Sequence, residues 1–333
     1  MVDLGGAAPS LLTAEQQDAV RDAVRQVMAA EAMTMTAVAK AAGIPYGTFS
    51  AWLGGTYQGR GERVADEAGR WLEARKVEQR TRALAPTAPE FLMTPSAEAF
   101  FGVFAHAQHM IDLVIISGGA GVGKTSAAEA YRARTPNVWV LTAEPCFSTP
   151  RMLLDDLAET LGISERYSAQ KVSRAIVRRL RDCGGLLIID EAQHLGTLAL
   201  DQLRTIHDLA HVGVALVGNE SVYARLEGAA RTPAFAQLYS RVGMRLPRAK
   251  PVKRDIDALL DAWKVEGERE RRLLHAIARK PGALRGMTKT LRMAHMLAGA
   301  EGAAMGEQYV LMAWQRLSNS DLTETAETVG GTA

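Results

Sequence analysis

The segment Gly118–Thr125 reads Gly-Gly-Ala-Gly-Val-Gly-Lys-Thr and fits the pattern G-x-x-x-x-G-K-[ST]. Glycines let such a loop turn tightly, so that successive backbone N–H groups point at a phosphate, and the following helix N-terminus adds partial positive charge. In this pattern the lysine reaches the β- and γ-phosphates and the hydroxyl binds magnesium, which assigns those roles to Lys124 and Thr125. The residues predicted to bind ATP are Gly118, Gly119, Ala120, Gly121, Val122, Gly123, Lys124, Thr125 and Ser126.

Two adjacent carboxylates, Asp190 and Glu191, follow the apolar run 186–189. Magnesium needs a hard oxygen ligand, and open α/β sheets bind ligands at the carboxyl ends of their strands, which suits Asp190. We expect Glu191 to orient and deprotonate the attacking water. An acidic pair after an apolar strand is by itself more often a solvated strand end, but the phosphate-binding loop favours catalysis. The predicted cofactors are therefore ATP and Mg²⁺, with Thr125 and Asp190 as metal ligands.

A parallel sheet is needed to bring the loop and the acidic pair together. Short apolar runs, each separated from the next by helical or loop sequence, are typical of strands covered on both faces. They lie at 113–117, 138–142, 186–190, 214–218 and 244–247. The predicted fold class is α/β, with a doubly wound P-loop core.

The chain is predicted to divide into several parts around this core. Three prolines in 81–95 indicate a linker, and the apolar residues after Pro251 recur at helical spacing. The predicted domains are a helix-turn-helix domain (10–80), the linker (81–95), the ATPase core (96–248), a helical lid domain (249–318) and a disordered tail (319–333).

The helix-turn-helix prediction depends on the residues between two short predicted helices. Thr13 is expected to cap the helix before them and Thr36 the first of the two. Gly43 would make the turn, while Phe49 and Trp52 fill the core. Because 42–58 contains no lysine or arginine, DNA binding and protein binding both remain open for this domain.

Composition excludes several classes of protein. The chain is 47% hydrophobic with a formal net charge of +2, and it has neither eighteen consecutive apolar residues nor a signal-peptide pattern. We therefore expect a cytoplasmic location. Basic residues exceed acidic ones in 249–320, which would attract a phosphate backbone, although a solvated helical surface explains that excess almost as well.

Residues 96–318 resemble the AAA+ family of ATPases. In that family the fourth strand ends in a polar residue that senses the γ-phosphate, and Asn219 stands at that point, where it could also merely cap the next helix. The segment Pro281–Arg285 resembles the second sensor, a G-x-x-R at the start of a helix that folds over the nucleotide. The resemblance implies that Arg285 contacts the nucleotide.

The same resemblance implies an arginine finger, which a neighbouring subunit donates to the γ-phosphate. Arg241, directly before the fifth predicted strand, looks like that finger. Arg225, Arg231 and Arg245 are the alternatives. Stabilising charge on the transferring phosphoryl group is the chemical contribution of such a residue.

The sequence Asp-Glu-Ala-Gln-His-Leu at 190–195 resembles the D-E-A-x-x-L segment of an ATPase subgroup. This subgroup includes phage Mu transposition protein B and target-selecting ATPases of bacterial transposons, and the order of the predicted domains resembles it over nearly the whole chain. The resemblance implies that ATP drives a homo-oligomeric filament onto double-stranded DNA with little sequence preference. The filament would deliver that DNA to a DDE transposase, and DNA and the transposase would stimulate a slow ATPase.

Two other functions remain open on the sequence alone. One is a helicase loader or another protein-remodelling ATPase, and the other is a nucleotide-switched DNA-binding regulator. Nor does the sequence identify the DNA surface, because a solvated face is at least as good an explanation for each basic candidate. Those candidates are Lys171, Arg174, Arg178, Arg179, Arg181, Lys250, Lys253 and Arg254.

Overall fold

A computed structural model of the chain describes residues 12–84, 91–145, 147, 149–164, 168–221 and 241–319. The chain forms two compact units, Met1–Pro86 and Thr87–Ala333. The predictions made for Arg225, Arg231 and the tail at 320–333 lie outside the described residues.

The first unit is helical. Its helices are α1 (Ala14–Ala30), α2 (Met35–Ala42), α3 (Tyr46–Leu53) and α4 (Gly61–Leu84). Gly43 ends α2 with a left-handed backbone (φ 70°), and this conformation turns the chain into α3 at no steric cost. Phe49 and Trp52 of α3 are buried against Val24 of α1 and Val64 of α4. Helix, turn and helix thus follow one another in the predicted order around a common apolar core.

Threonines cap the first two helices of this unit. The Thr13 hydroxyl accepts a hydrogen bond from the backbone N–H of Gln16 (3.3 Å), and the Thr34 hydroxyl accepts one from Ala37 (3.2 Å). The prediction that Thr36 caps α2 is wrong. A cap needs an extended backbone ahead of the first turn, which Thr34 has, whereas Thr36 already lies inside the helix.

The predicted linker at 81–95 overlaps helices at both ends. No proline lies between Gly61 and Leu84, so α4 continues to Leu84. At the other end, Thr94 caps α5 (Pro95–Met110), and Pro95 occupies its first turn, where a missing N–H costs nothing. Helices therefore occupy 81–84 and Pro95, the two ends of the range predicted as a linker.

A five-stranded parallel sheet forms the centre of the second unit, in the order β2-β3-β4-β1-β5. The strands are β1 (Leu113–Gly118), β2 (Val138–Thr142), β3 (Leu186–Asp190), β4 (Gly213–Gly218) and β5 (Val242–Arg248). The predicted α/β class is confirmed. Because β1 and β3 both flank β4, their carboxyl ends meet at one edge, which is the geometry the two motifs need.

Alternation along the strands divides the core of the second unit into two layers. Leu113 and Ile115 of β1 pack with α7 (Pro150–Thr160), α8 (Ala169–Leu180) and α9 (Thr197–Ala210). Val114 and Ile116 point to the opposite face and pack with α5 and α6 (Lys124–Arg134). Helices on both faces bury the three central strands β1, β3 and β4 completely, whereas the edge strand β5 is only partly buried.

Within the described residues after the sheet, 249–319, four helices enclose an apolar core of their own. They are α10 (Lys253–Ala262), α11 (Glu268–Ala278), α12 (Ala283–Ala300) and α13 (Glu307–Ser318). A fully buried carboxylate, Asp255 of α10, joins this helical part to α5 by accepting hydrogen bonds from the backbone N–H (2.8 Å) and hydroxyl (2.6 Å) of Ser96.

Among the helices that the structure describes, none is long and apolar enough to cross a membrane.

Candidate nucleotide site

The predicted phosphate-binding loop connects β1 to α6, with Gly121 (φ 82°) and Gly123 (φ 96°) in the left-handed region. A Cβ on Gly118 would overlap the carbonyl of Arg248, and one on Gly119 would overlap that of Ala249. Gly121 and Gly123 are therefore needed for the backbone conformation, and Gly118 and Gly119 for the close approach of the neighbouring chain. They place the N-terminus of α6 at the carboxyl edge of the sheet, where its unpaired N–H groups favour an anion.

Lys124 folds back over this loop. Its ammonium donates hydrogen bonds to the carbonyl oxygens of Gly118 and Gly119, both at 2.8 Å. Burial lowers the pKa of Lys124, while the nearby Asp190 and Glu191 carboxylates act in the opposite direction. These two hydrogen bonds hold the ammonium over the loop that is predicted to bind the phosphates.

Thr125 and Asp190 meet across the two motifs. The Thr125 hydroxyl donates to the Asp190 carboxylate at 2.7 Å, and the other oxygen of Asp190 accepts from the backbone N–H of Glu191 at 2.9 Å. Only 2% of Asp190 is exposed. A hydroxyl and a buried carboxylate form a hard oxygen donor set, which fits Mg²⁺ bound together with phosphate oxygens.

Glu191 follows β3 in a left-handed conformation (φ 52°, ψ 36°) and lines the same cleft. A short 3₁₀ helix, Ala192–His194, comes next. Its middle residue, Gln193, donates from its amide to the Glu191 carboxylate and accepts from the backbone N–H of Asn219 at 3.2 Å. Sequence reasoning gave Gln193 no role, because nothing in its type or spacing shows that it lies between two strand ends.

Asn219 directly follows β4, which pairs with both β1 and β3. Its side-chain oxygen accepts hydrogen bonds from the backbone N–H (2.9 Å) and hydroxyl (2.5 Å) of Ser221. The residue thus lies at the predicted strand end, and its side chain caps the segment that follows. Sensing of a γ-phosphate by Asn219 stays a prediction.

Arg241 lies at the other end of the sheet. Val242, the next residue, pairs with Leu113 at the start of β1, whereas the phosphate-binding loop follows the end of β1. Its guanidinium forms an ion pair with Asp208 of α9 (3.3 Å) and is half exposed. A strand of six residues separates the two ends by roughly 20 Å, so this arginine cannot reach the ATP site of its own chain. The alternative Arg245 lies within β5 and is half-buried.

The helical part reaches the phosphate-binding loop through the start of α12. The backbone N–H of Leu284 donates to the Gly121 carbonyl (3.1 Å), and a Cβ on Gly121 would overlap the carbonyl of Gly282. Arg285 follows and lines the same cleft as Lys124 and Glu191. The structure therefore brings the predicted second-sensor arginine to the loop.

This cleft has a volume of about 430 Å³ and includes residues that the sequence did not single out. Phe91, before α5, and Trp263, at the end of α10, form apolar and aromatic walls suited to a nucleobase. Lys289 and Arg292 follow Arg285 at helical spacing along α12 and add positive charge. The sequence does not show that Lys289 and Arg292 share a cleft with the phosphate-binding loop, because they are far from it along the chain. The packing of α12 over the loop brings them there.

The basic DNA candidates are at the surface. Arg174 and Arg178 are exposed on α8 and Arg181 directly after it, while Lys253 and Arg254 are exposed at the start of α10. The remaining candidates, Lys171, Arg179 and Lys250, are exposed as well. Arg179 also lies over the ring of Trp139, 5.4 Å from its centroid. Exposure permits a DNA contact and does not distinguish between the two basic stretches, 171–181 and 250–254.

Comparisons with known proteins identify the relatives of this chain. Residues 240–317 match the protein family described as Mu B transposition protein, C terminal, and residues 111–226 match an AAA domain. The ATP-dependent target DNA activator B of Escherichia phage Mu is 36% identical over 299 residues, which is 90% of this chain and 95% of that protein. The Mu-like prophage FluMu DNA transposition protein B of Haemophilus influenzae is 33% identical over 270 residues, 80% of this chain and 93% of its own.

A structural comparison agrees on the fold. A chain in the structure of Drosophila ORC bound to DNA superposes with a TM-score of 0.53 at 13% identity, covering 78% of this chain and 69% of that one. At this identity the likeness concerns the fold alone.

Proposed function

The chain belongs to the Mu B transposition protein family, and from this premise we propose that it is an ATPase that assembles on target DNA during transposition. It would bind double-stranded DNA with little sequence preference, deliver it to a DDE transposase and activate that enzyme. One observation carries the ATPase part of the proposal: the Thr125 hydroxyl is hydrogen bonded to the buried Asp190, with Glu191 next to it in the same cleft.

The described residues suggest a role for each part of the ATP site. The loop N–H groups and Lys124 would bind the phosphates, and Arg285 would reach them from α12. Thr125 and Asp190 would hold Mg²⁺, which neutralises phosphate charge when it is bound. Glu191 would orient a water and accept its proton, while Asn219 would contact the γ-phosphate.

The position of Arg241 supports assembly of several subunits. Because it lies at the sheet end opposite the phosphate-binding loop, it can act on ATP only in a neighbouring subunit. A contact that joins the Arg241 end of one subunit to the ATP end of the next is head-to-tail, and repetition of such a contact builds an open filament unless it closes into a ring. Assembly would then complete each active site.

DNA would bind through the exposed lysines and arginines by contacts with phosphates. Such contacts carry no sequence information and weaken with salt, because they release counterions. The relatives named target DNA activator B and DNA transposition protein B support DNA as the ligand and a transposase as the partner. We propose further that DNA and the transposase stimulate a slow ATPase.

Purified protein mixed with random-sequence duplex and ATP, ADP or no nucleotide tests this proposal by negative-stain electron microscopy. We expect continuous filaments on DNA only with ATP, and longer-lived ones for Glu191→Gln because hydrolysis is blocked. Discrete rings or monomers that are indifferent to DNA would reject the proposal and favour a helicase loader. DNA binding that differs between ATP and ADP but forms no filaments, and that Glu191→Gln leaves unchanged, would favour a nucleotide-switched regulator.

Charge reversals then distinguish the two basic stretches. Arg174→Glu tests α8 and Arg254→Glu tests the start of α10, with Arg132→Glu on α6 as a reversal outside both. The variant at a true contact should bind duplex more weakly and lower the salt slope by about one. Fluorescence anisotropy across a salt series measures both quantities, and an unchanged affinity and slope exclude the substituted residue as a DNA contact.

A further inference from the structure

Gln193 connects two strand ends that each contribute a residue to the ATP site. Its side-chain amide donates to the Glu191 carboxylate and its side-chain carbonyl accepts from the backbone N–H of Asn219. β3 and β4 are parallel neighbours, so the residues that follow them emerge side by side. A single side chain therefore bridges the candidate base and the candidate γ-phosphate sensor.

The orientation of this amide follows from its partners. A backbone N–H can only donate, so the Gln193 carbonyl oxygen must face Asn219. The NH₂ group, which can only donate, then faces Glu191, and an ionised carboxylate can only accept. Reversing the amide would lose both hydrogen bonds, and the side chain thus has one satisfactory orientation.

The backbone around Gln193 is well fixed. The N–H of His194 donates to the carbonyl of Glu191 (3.0 Å), and the N–H of Leu195 donates to the carbonyl of Ala192 (3.1 Å). Ala192 and Leu195, on either side, are buried in the sheet core. This short helix holds Gln193 over the strand ends, so its amide can hold other groups in place.

We propose that Gln193 is a positioning residue for ATP hydrolysis, an inference that rests on the proposed role of Glu191. By donating to one oxygen of the Glu191 carboxylate, it fixes the plane of that group and leaves the second oxygen for a water molecule. Because its other hydrogen bond is to the backbone of Asn219, a shift of that strand end toward a γ-phosphate would also move the group that orients the base.

Substitutions separate the two hydrogen bonds of Gln193. Gln193→Ala removes both, whereas Gln193→Glu keeps an acceptor for Asn219 and replaces the donor that faces Glu191 with an oxygen. Both variants should lower kcat by roughly 10- to 100-fold, the loss typical of groups that orient a catalytic ligand, with KM for ATP changed less than about twofold. His194→Ala, in the same short helix, is the matched control and should keep wild-type kcat.

A double-mutant cycle shows whether Gln193 acts through Glu191. In a Glu191→Gln background, Gln193→Ala should cause no further loss in single-turnover hydrolysis, because the carboxylate that it orients is gone. An equal loss in both backgrounds, or an unchanged kcat in the single variant, would overturn the proposal. Thermal unfolding of each variant identifies a fall in kcat that comes from loss of folded protein.

The same cycle distinguishes the inference from its premise. If Glu191→Gln itself hydrolyses ATP at the wild-type rate, the proposed role of Glu191 fails and the positioning role of Gln193 fails with it. If Glu191→Gln is inactive while Gln193→Ala is fully active, the ATPase proposal stands and only the positioning role is rejected.

Discussion

The contact between the start of α12 and the phosphate-binding loop can be tested at Gly121. Two features forbid a side chain there: the backbone is left-handed (φ 82°), and a Cβ would overlap the carbonyl oxygen of Gly282 at the start of α12. Gly123, two residues later, has a similar conformation (φ 96°) but nothing within 4 Å of its Cβ position. The two glycines thus share the conformational cost and differ in the steric one.

The expected magnitudes follow from these two costs. A left-handed non-glycine residue costs about 1–2 kcal/mol, which is the whole prediction for Gly123→Ala. Forcing a methyl group into a packed contact adds about 1–3 kcal/mol, so Gly121→Ala should lower the free energy of unfolding by about 2–5 kcal/mol. At about 2–4 °C per kcal/mol for a unit of this size, Gly121→Ala should lower Tm by on the order of 10 °C and Gly123→Ala by about half of that or less.

Differential scanning calorimetry of the full chain measures both changes, and the transition that ATP shifts identifies the second unit. Gly121→Ala should also weaken ATP binding, because the start of α12, which carries Arg285, must move away from the loop, and isothermal titration measures that affinity. Equal losses of Tm in the two variants would refute the reasoning, since the overlap with Gly282 would then contribute nothing.

Three further predictions concern the rest of the second unit. Asp255→Ala should lower the free energy of unfolding by about 2–6 kcal/mol in urea titrations, because it leaves the buried Ser96 N–H and hydroxyl without their acceptor at about 1–3 kcal/mol each; a loss below about 1 kcal/mol would contradict this. Burial lowers the pKa of His295, so the free energy of unfolding should fall as the pH drops below about 6.5, the pKa of an unperturbed histidine. His295→Phe keeps an aromatic ring beside Trp263, and urea titrations should show that it loses less stability than wild type between pH 7 and pH 5. Arg241→Ala should reduce ATP turnover by roughly a thousandfold and leave ATP affinity unchanged, and a wild-type rate in a phosphate-release assay would exclude it as the finger.

The sequence was most informative where one residue type is required for a local reason. Gly118–Thr125 could be read directly, since its glycines, lysine and hydroxyl each have few substitutes at that spacing. The strands could also be located, because covered parallel strands are uninterrupted apolar runs. The cap of α2 was missed, since Thr34 and Thr36 are equally good residues and only the backbone conformation distinguishes them.

Contacts between distant segments could not be predicted in the same way. Phe91 and Trp263 meet at one cleft only after α10 packs beside α5, and neither has a local signature of nucleotide binding. Gln193 presents the same difficulty, because its bridge depends on the order of strands in the sheet. The resemblance to a family supplied residues such as Arg285, yet it could not supply those that are particular to this chain.

The ion pair at Arg241 bears on how the active site would be controlled. In the isolated chain Arg241 is paired with Asp208, and with half of its side chain exposed such a pair contributes about 0–1 kcal/mol. Hydrogen bonds from a guanidinium to phosphate oxygens in a water-excluded site are stronger than that. Asp208 therefore holds the arginine too weakly to inhibit assembly. The barrier to hydrolysis in a single subunit would be the roughly 20 Å between the two ends of the sheet, which only a second subunit can bridge.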